Sequence, residues 1–460
     1  MTVLLAPIPV DTIRPGQVRS ALFGAIHALD QNHSLYCVHP KRDFSRRCVL
    51  SFPRVIRTIL GFGTSTVSGE LSDQAALSDR ADWIAQADAS YRMPTKNAFI
   101  MRRQLIHPEA FRFLFHEFMS RFIRFKTLHN YRVFAADGSS VCIPSNLKDL
   151  KTLVQGKPGS DPYNQVGIEA LYDVLNNTYE DFLVCDYDDF SEKNAFLTLA
   201  HRLKNPKSSI ITADRFYGTL PIIAHLLSIG VHFVLRCKDI DSNGFASGYN
   251  LSNTNADGTF DLSFHKTLTY SRKKTDNPSQ DCQFVSKKSF GLYDDKSPYY
   301  DLDFRLVRVD LGNGHFELLV TDLPRDVFSA DDIADIYRQR WNVETSFRRL
   351  KHLMGTLFFH SYKHDSVLQE IYAKFIMYNY TALIASTVSI PDSPDKKQKR
   401  FVNFARAVLE CRKFFFGRYS DHELRRLLRQ DPCCVRPDRN VPRSHRPKTQ
   451  PSEDFNWRAV

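Results

Sequence analysis

The sequence predicts an α/β protein that contains a β-rich insertion and has helical regions at both ends. Three observations support this fold class. Residues 131–238 alternate strand-like and helix-like runs, the stretch from 239 to about 320 carries mostly strand signals, and the flanking residues are mostly helical in character. Alternating runs of this length are typical of a layered α/β structure. A chain of 460 residues can also bury a large core.

Residues 1–125 are predicted to form a helical N-terminal region. Its run "KRDFSRRCVLSFPRVIR" contains six basic residues and one acid. Further on, "MPTKNAFIMRRQL" has a predicted helix start at Pro94 and Thr95, and Arg102 and Arg103 lie on that helix. These charges indicate either a solvated helical surface or a surface that binds DNA, and this region alone does not decide between the two.

Residues 126–238 are predicted to form the first part of the α/β core. Two of the strand-like runs, "YRVFAAD" and "SSIITAD", end in Asp137 and Asp214. A carboxylate at a strand end in an α/β fold often lies at the rim of the sheet, where ligands bind. Taken alone, each aspartate is more typical of a turn or a cap.

Residues 239–320 are predicted to be the β-rich insertion. In "GTFDLSFH", apolar and polar residues alternate with a period of two. The run "YDLDFRLVRVDLGNGHFELLVTDL" is typical of a hairpin whose turn is "GNG".

Helices are predicted to resume in residues 321–390, the second part of the core. Ser329 and Asp332 resemble a capping box and Gly355 is a natural stop, which predicts one helix of roughly 330–354. Further helices are predicted near 366–387 and 399–416. The last of these falls in a basic C-terminal region, 391–460, whose Pro-rich polar tail is predicted to be disordered.

The predicted helix of 330–354 carries "YRQRWNVETSFRRLK", with five basic side chains and one acid. On a regular helix at about 100° per residue, Tyr337, Arg340, Glu344 and Lys351 share one face, and Arg348 joins its edge. The face would present one carboxylate among several cations. Glu344 could instead simply pair with Arg340 or Arg348 at i, i+4 spacing.

The overall charge favours an anionic partner. The net charge is +11, which suits nucleic acid or an anionic membrane face. No run of the sequence is typical of a membrane span, and the N-terminus is a poor signal peptide. The nine cysteines are scattered without a C-x-x-C pair, so we expect a reduced cytosolic protein without structural zinc.

Two strand-end aspartates and one helix glutamate are a suitable set of ligands for Mg²⁺. This ion prefers oxygen ligands and takes its remaining ligands from water and phosphate. Two such ions can stabilise the attacking and leaving oxygens of an in-line phosphoryl displacement. The surrounding cations would then hold a phosphate backbone.

Tyr337, Arg340, Glu344 and Lys351 reproduce the pattern Y-(2)-R-(3)-E-(6)-K without a gap. This pattern resembles the signature of DDE transposases of the insertion-sequence-4 class. "AADGS" at Asp137 and "TADRFYG" further on resemble the regions that hold the two catalytic aspartates of that family. The resemblance covers roughly residues 90–385.

The resemblance implies a ribonuclease H-like catalytic core, interrupted by the β-rich insertion, and a chain that cuts transposon ends and joins them to target DNA. It implies that Asp137, Asp214 and Glu344 are catalytic and bind two Mg²⁺ ions, for which Mn²⁺ would substitute. The predicted DNA-binding residues are Tyr337, Arg340, Arg348, Lys351, Arg102 and Arg103. The expected partners are double-stranded DNA, comprising terminal inverted repeats and target DNA, and a second copy of the chain in a homodimer on DNA. We expect a cytoplasmic, nucleoid-associated protein without membrane contact.

One departure from the family concerns the hairpin step. Relatives that cut through a DNA hairpin stack a tryptophan of the insertion on a flipped base, and 239–320 contains no tryptophan. Phe260, Phe264 or Tyr270 could stack instead. Two other functions also remain open: an inactive DNA-binding descendant of a transposase, and a metal-dependent nuclease that cuts without joining.

Overall fold

The structure, a computed structural model, has a mixed α/β architecture, as the sequence predicts. A 10-stranded sheet lies between helices on both of its faces within the described residues. The described residues are 7–46, 48–77, 93–156, 158–159, 161–248, 255, 257–271, 282–286, 299–391 and 399–435. The tail predicted to be disordered falls almost wholly in 436–460, outside these ranges. None of the helices in the described ranges combines the length and apolar character needed to cross a bilayer.

Most helices lie before or after the main strands. They are α1 (Pro15–Gln31), α2 (Phe52–Leu60), α3 (Val67–Leu77), α4 (Lys96–Arg103), α5 (Glu109–Met119), α6 (Glu192–His201), α7 (Leu220–Ile229), α8 (Ala330–Arg338), α9 (Trp341–Arg348), α10 (His364–Ser386), α11 (Phe404–Phe415) and α12 (Asp421–Gln430). Of these, α6 and α7 lie between strands of the sheet. Two predicted helix starts are confirmed. The Thr95 side chain accepts a hydrogen bond from the backbone N–H of Ala98, and Ser329 and Asp332 form a capping box.

The strands alternate with helices in the middle of the chain. They are β1 (Ile8–Pro9), β2 (Phe122–Ile123), β3 (Arg132–Ile143), β4 (Leu153–Val154), β5 (Tyr163–Asp173), β6 (Thr178–Asp186), β7 (Ser209–Ala213), β8 (His232–Cys237), β9 (Phe260–Thr269), β10 (Cys282–Phe284), β11 (Tyr299–Gly312), β12 (His315–Thr321), β13 (Lys399–Val402) and β14 (Pro432–Val435). Strand β13 corrects the predicted helix of 399–416. The first four of those residues pair with β14, and α11 begins only at Phe404.

The main sheet has the order β10-β9-β11-β12-β8-β7-β3-β5-β4, and β6 also pairs with β5. Strands β3, β7 and β8 are parallel, whereas β5 is antiparallel to both β3 and β6. The β-rich stretch extends this same sheet, because β12 pairs antiparallel with β8. The predicted hairpin is confirmed as β11–β12. Its turn residues Asn313 and Gly314 both have positive φ, as a two-residue type I′ turn requires.

Alternate side chains of the sheet point into two hydrophobic layers. On β3, Val133 and Ala135 belong to the layer that includes α1–α5 and α8–α12. Phe134 and Ala136 belong to the opposite layer, which includes α6 and α7. The N-terminal helices therefore share one core with α10, the long helix that covers the sheet.

A buried ionic cluster joins α4 to α10. Arg103 is 0% exposed, and its Nη1 lies 2.8 Å from Glu370 Oε1. Its Nη2 donates to the backbone carbonyl of Ser366 at 2.8 Å. Burial alone would raise the pKa of Glu370, but Arg103 and His360 hold it below its usual range. The prediction that Arg103 contacts DNA is therefore wrong, because this side chain is enclosed in the core.

The predicted single helix of 330–354 is distorted at two places. The backbone N–H groups of Arg340 and Val343 donate to carbonyls three residues back, at 2.9 and 3.1 Å, so the chain is tightened between α8 and α9. After α9, Arg349–Leu353 form a π-helical turn, in which Met354 N–H donates to the Arg349 carbonyl. The prediction of a regular helix is therefore wrong here, and a constant 100° per residue does not describe which side chains face together.

We expect Arg103→Ala to lower the free energy of unfolding by about 3 kcal/mol or more, because it leaves the Glu370 carboxylate buried without its partner. The neighbouring Arg102→Ala is the matched control. Arg102 is partly exposed and lies over the ring of Phe44, so its loss should cost less than about 1 kcal/mol. Urea denaturation of both variants measures this difference. Equal stability in the two variants would contradict a structural role for Arg103, and a selective loss of DNA binding would restore the DNA-contact hypothesis.

Candidate active site

The register of two parallel strands places Asp137 and Asp214 beside each other. The last paired residues of β3 and β7 are Ala135 and Thr212. Asp137 comes two residues after Ala135, and Asp214 comes two residues after Thr212. Residues two apart on a strand share a face, so both lie on the same side at the carboxyl edge. Asp214 directly follows β7, as predicted.

The prediction that Asp137 ends a strand is wrong. The apolar run stops at Ala136, but β3 continues to Ile143. It does so because its other edge remains hydrogen-bonded to β5, with Asp137 opposite Ala170. Only the pairing with β7 ends near Asp137, so the carboxylate lies at the rim of the parallel part of the sheet.

The three predicted acids share one electrostatic neighbourhood. Burial raises the pKa of Asp137 to about 7, Arg340 opposes this shift, and the carboxyls of Glu344, Asp214 and Glu192 add to it. A carboxyl responds to like charges in this way only when they are near. Within the described part of the chain, however, no three His, Cys, Asp or Glu side chains converge closely enough to hold a metal ion. The acids thus form a neighbourhood and not a closed coordination sphere.

Glu344 is held by Arg340. The Nη2 group of Arg340 donates to Glu344 Oε1 at 3.0 Å, which is the i, i+4 pair that the sequence left open as an alternative. The guanidinium also lies over the Trp341 ring, 4.6 Å from its centroid. Arg340 and Tyr337 are only 4% and 2% exposed, so this conformation does not offer them to DNA. The position of Arg340 suits it to orient Glu344, whose side chain is 29% exposed.

Lys351 reaches the strand that carries Asp137. Its Nζ donates to Ser139 Oγ at 2.7 Å, and Ser139 is two residues from Asp137 on the same face of β3. Burial lowers the pKa of Lys351, while Cys142 and Asp137 oppose this shift. Lys351 is therefore not a solvated helix lysine. Among the other predicted DNA contacts, Arg348 is exposed on α9 and Arg102 is partly exposed.

Two further acids near the site were not identified from the sequence. Glu192 begins α6, and a Cβ added at Gly138 would lie 2.7 Å from Glu192 Oε1. An acid in the first turn of a helix is common, so no pattern in the sequence distinguishes this residue. Glu169 lies on β5 opposite Gly138 and is fully buried. A signal existed here, since an acid inside the apolar run "QVGIEALYDV" needs a buried partner.

The family model described as a transposase DDE domain matches residues 128–380, more than half of the 460-residue chain. The chain belongs to this family of DDE transposases. The predicted family is thereby confirmed. The match includes both aspartates and the whole segment from Tyr337 to Lys351.

Similar curated proteins carry insertion-sequence names. "Putative transposase InsL for insertion sequence element IS186A" of Escherichia coli (strain K12) is 54% identical over 41 residues, which are 9% of this chain and 11% of that protein. "Transposase for insertion sequence element IS421" of Escherichia coli gives the same identity and coverage. The chain thus spans 11% of the length of these curated relatives.

A solved structure is also similar to this chain. It is a cryo-EM structure of the piggyBac transposase synaptic complex with hairpin DNA, 12% identical, with a TM-score of 0.44. The similarity covers 90% of this chain and 82% of that chain.

We expect Asp137→Asn to raise the melting temperature of the protein without divalent ions, because it removes one of several mutually repelling charges. A gain of about 1 kcal/mol corresponds to a rise of roughly 2 °C. The same variant should show a smaller rise on addition of Mg²⁺ or Mn²⁺, since bound ions stabilise the folded state in proportion to their affinity. Thermal melts with and without each ion measure both effects.

Asp326→Asn is the control for this experiment, because Asp326 is exposed and is not among the groups that shift the pKa of Asp137. It should change neither value. A lower melting temperature for Asp137→Asn together with an unchanged response to the ions would exclude Asp137 from a repulsive, ion-binding group.

Proposed function

We propose that this chain is a DNA transposase that cuts the ends of a mobile element and joins them to target DNA by metal-dependent phosphoryl transfer. The observation that carries this proposal is the position of Asp137 and Asp214, side by side at the carboxyl edge of two parallel strands. Glu344 lies in the same electrostatic neighbourhood. Family membership supports assigning catalysis to these three residues.

The strand order supports a ribonuclease H-like core within the sheet. Five strands lie in the order β6-β5-β3-β7-β8, in which β5 is antiparallel to its neighbours and β3, β7 and β8 are parallel. On this basis we keep the proposed division into an N-terminal region of 1–125, core segments 126–238 and 321–390, the insertion 239–320, and a C-terminal region from 391.

The chemistry of the three acids fits divalent cations. All are carboxylates, the ligand type that Mg²⁺ and Mn²⁺ favour. The pKa of Asp137 is raised mainly by burial and further by the neighbouring carboxyls, and a bound dication would relieve this repulsion. Asp137, Asp214 and Glu344 would hold two Mg²⁺ ions, with Mn²⁺ as a substitute. Bound ions of this kind stabilise negative charge on a reacting phosphate.

The residues around the acids would orient the site and the DNA. Arg340 fixes the Glu344 carboxylate through its hydrogen bond. Lys351, on the Asp137 side, would place its ammonium group next to the scissile phosphate while it remains bonded to Ser139. Arg348, exposed one turn after Glu344, would contact a neighbouring phosphate. Positioning of this kind supplies much of the rate enhancement in phosphoryl transfer.

Basic surfaces beyond the site would bind the rest of the DNA. On α12, His422, Arg425, Arg426 and Arg429 line a surface cleft of about 350 Å³. Arg102 would add a contact from the N-terminal region. Because such contacts release counterions, binding should weaken steeply with salt. We further propose a homodimer on DNA, which pairs the two ends of the element, and action on nucleoid DNA in the cytoplasm.

A hairpin step would need an aromatic side chain that stacks on an unpaired base. Of the aromatic side chains suggested for base stacking, Phe260 is buried and Phe264 stacks on Phe304 with ring centroids 6.1 Å apart. Phe216, exposed two residues after Asp214, is better placed to meet an unpaired base. We propose cutting and joining without assigning a stacking residue in the insertion.

We expect Asp137→Ala, Asp214→Ala and Glu344→Ala each to reduce cleavage by more than about 100-fold. Loss of a residue that only orients a metal ligand typically costs about 10- to 100-fold, and loss of the ligand itself should cost more. Each should still bind a duplex carrying the terminal inverted repeats of the proposed mobile element. Asp335→Ala, an exposed acid on α8, is the control and should cleave normally. Mobility shifts measure binding, and gel assays for nicking and for joining separate a transposase from a nuclease. Normal Mg²⁺-dependent cutting by one of the three variants would remove that residue from the triad.

We expect Lys351→Ala to fold normally and to cleave about 10- to 100-fold more slowly, because the scissile phosphate loses its positioning cation. Lys351→Arg should retain part of the activity, since it keeps the charge with another geometry. His352→Ala, at the adjacent exposed position, is the control. Single-turnover cleavage and a melting curve measure these effects.

Ser139→Ala distinguishes two ways in which Lys351 could act. It removes the bonding partner of Lys351 but leaves the charge, so it should have little effect if Lys351 contacts phosphate. An equal loss of cleavage activity in Ser139→Ala and Lys351→Ala would instead show that Lys351 acts by fixing the position of β3 through Ser139. Normal cleavage by Lys351→Ala would contradict both roles.

A further inference from the structure

A buried carboxyl lies beneath the site on the opposite face of the sheet. Glu169 is 0% exposed on β5 and pairs across the strands with Gly138, the residue after Asp137. By alternation it faces the layer of α6 and α7, whereas Asp137 faces the layer of α9. The hydroxyl of Tyr217, itself 1% exposed, lies 3.0 Å from both carboxyl oxygens of Glu169 and donates to them.

Burying the Glu169 carboxyl beside Tyr217 lowers the stability of the fold, and the proposed chemistry does not explain why it is there. A buried carboxylate without a cation is strongly unfavourable, and within the described ranges no Lys, Arg or His forms an ion pair with Glu169. Burial raises its pKa well above the usual range, Tyr217 opposes this, and Asp137, Glu192 and Asp214 add to it. An apolar residue at this position would avoid the cost, so the hydrogen bond to Tyr217 needs an explanation.

Tyr217 belongs to the loop that carries Asp214. Within that loop, the backbone N–H of Phe216 donates to Asp214 Oδ1 at 2.8 Å, and the N–H of Tyr217 donates to the Asp214 carbonyl at 3.1 Å. A Cβ added at Gly218 would lie 2.0 Å from the carbonyl oxygen of Arg236 on β8. The loop therefore forms a closed turn that packs directly against β8 on one side.

The Tyr217 side chain ties this loop to a strand on the other side. The order β7-β3-β5 means that Tyr217, which follows β7, reaches beneath β3 to meet Glu169 on β5. It does so next to Gly138, and its ring packs on Phe196 of α6 at 4.9 Å between centroids. The hydrogen bond thus links the loop of Asp214 to the partner strand of Asp137.

We propose that the Tyr217–Glu169 hydrogen bond is a positioning device that sets where Asp214 lies relative to Asp137. Tyr217 and Glu169 touch neither DNA nor the reacting phosphate; they act through Asp214. This inference rests on the proposed metal-dependent cleavage. Outer partners that orient metal-binding groups typically change metal affinity or activity by about 10- to 100-fold when they are lost.

Tyr217→Phe tests the proposal, because it keeps the buried ring and removes only the donor. We expect single-turnover cleavage to fall about 10- to 100-fold, and a higher Mn²⁺ concentration to be needed for half-maximal rate. Affinity for end DNA should not change. Glu169→Leu should behave like Tyr217→Phe. Glu169→Gln should recover most of the activity, since its carbonyl accepts the same hydrogen bond in a side chain of the same shape.

Tyr172→Phe is the matched control. Tyr172 is also buried on β5, but it lies in the opposite layer and its hydroxyl bonds to that of Tyr378 at 3.2 Å. It should leave the Mn²⁺ dependence unchanged. Normal cleavage and Mn²⁺ dependence in Tyr217→Phe would overturn the proposal. An equal change in Tyr172→Phe, or a failure of Glu169→Gln to recover activity, would overturn it as well.

A readout independent of cleavage separates this inference from the proposed function. If the wild-type protein cuts no DNA, the proposed function fails, and Mn²⁺ binding measured by calorimetry on wild type and Tyr217→Phe still tests the device. Weaker Mn²⁺ binding together with faster hydrogen exchange in residues 209–220 of the variant would support it. Identical binding and exchange in the two proteins would overturn it.

Discussion

Repulsion among carboxylates at one edge of the sheet is the constraint on which the arrangement of the site depends. The parallel register of β3 and β7 brings Asp137 and Asp214 together, and α9 adds Glu344. Burial raises the pKa of Asp137 to about 7 and the other acids contribute to this rise. Such a group is unfavourable unless cations offset it. Arg340 and Lys351 supply part of that positive charge from the chain itself, and the divalent ions that we propose would supply the remainder.

The distorted helix between α8 and the π-helical turn explains how these cations reach the acids. A tightened turn buries Arg340 against Trp341 and leaves it bonded to Glu344. The wide turn of Arg349–Leu353 then redirects the backbone, and Lys351 meets Ser139 on β3. Irregular turns of this kind are frequent at functional sites because they re-aim side chains that a regular helix would point elsewhere. In the proposed site, the four residues of the signature would act together without sharing a straight helical face.

Local patterns in the sequence predicted most of the elements but not their long-range contacts. The capping box at Ser329 and the β11–β12 hairpin depend on neighbouring residues, and both were correctly placed. The extension of β3 past Asp137 depends on pairing with β5, which no apolar pattern reports. Arg103 looked like a surface cation because its partner Glu370 lies 267 positions away. The motifs identify the three acids, whereas the apolar run around Glu169 predicts a buried partner without revealing that this partner is Tyr217.

The two faces of the sheet carry different parts of the site, and β3 connects them. Its residues Asp137 and Ser139 face α9 and the cations, while Gly138 between them faces α6 and the Tyr217–Glu169 pair. Gly138 has no side chain, and a Cβ there would collide with Glu192. The cations that oppose the acids therefore lie on one face, and the residues proposed to set the loop geometry lie on the other. Because α4 and α10 are joined by the buried Arg103–Glu370 pair, the N-terminal helices belong to the same packed layer as α9. Any DNA held by those helices would be held at a fixed position relative to the acids.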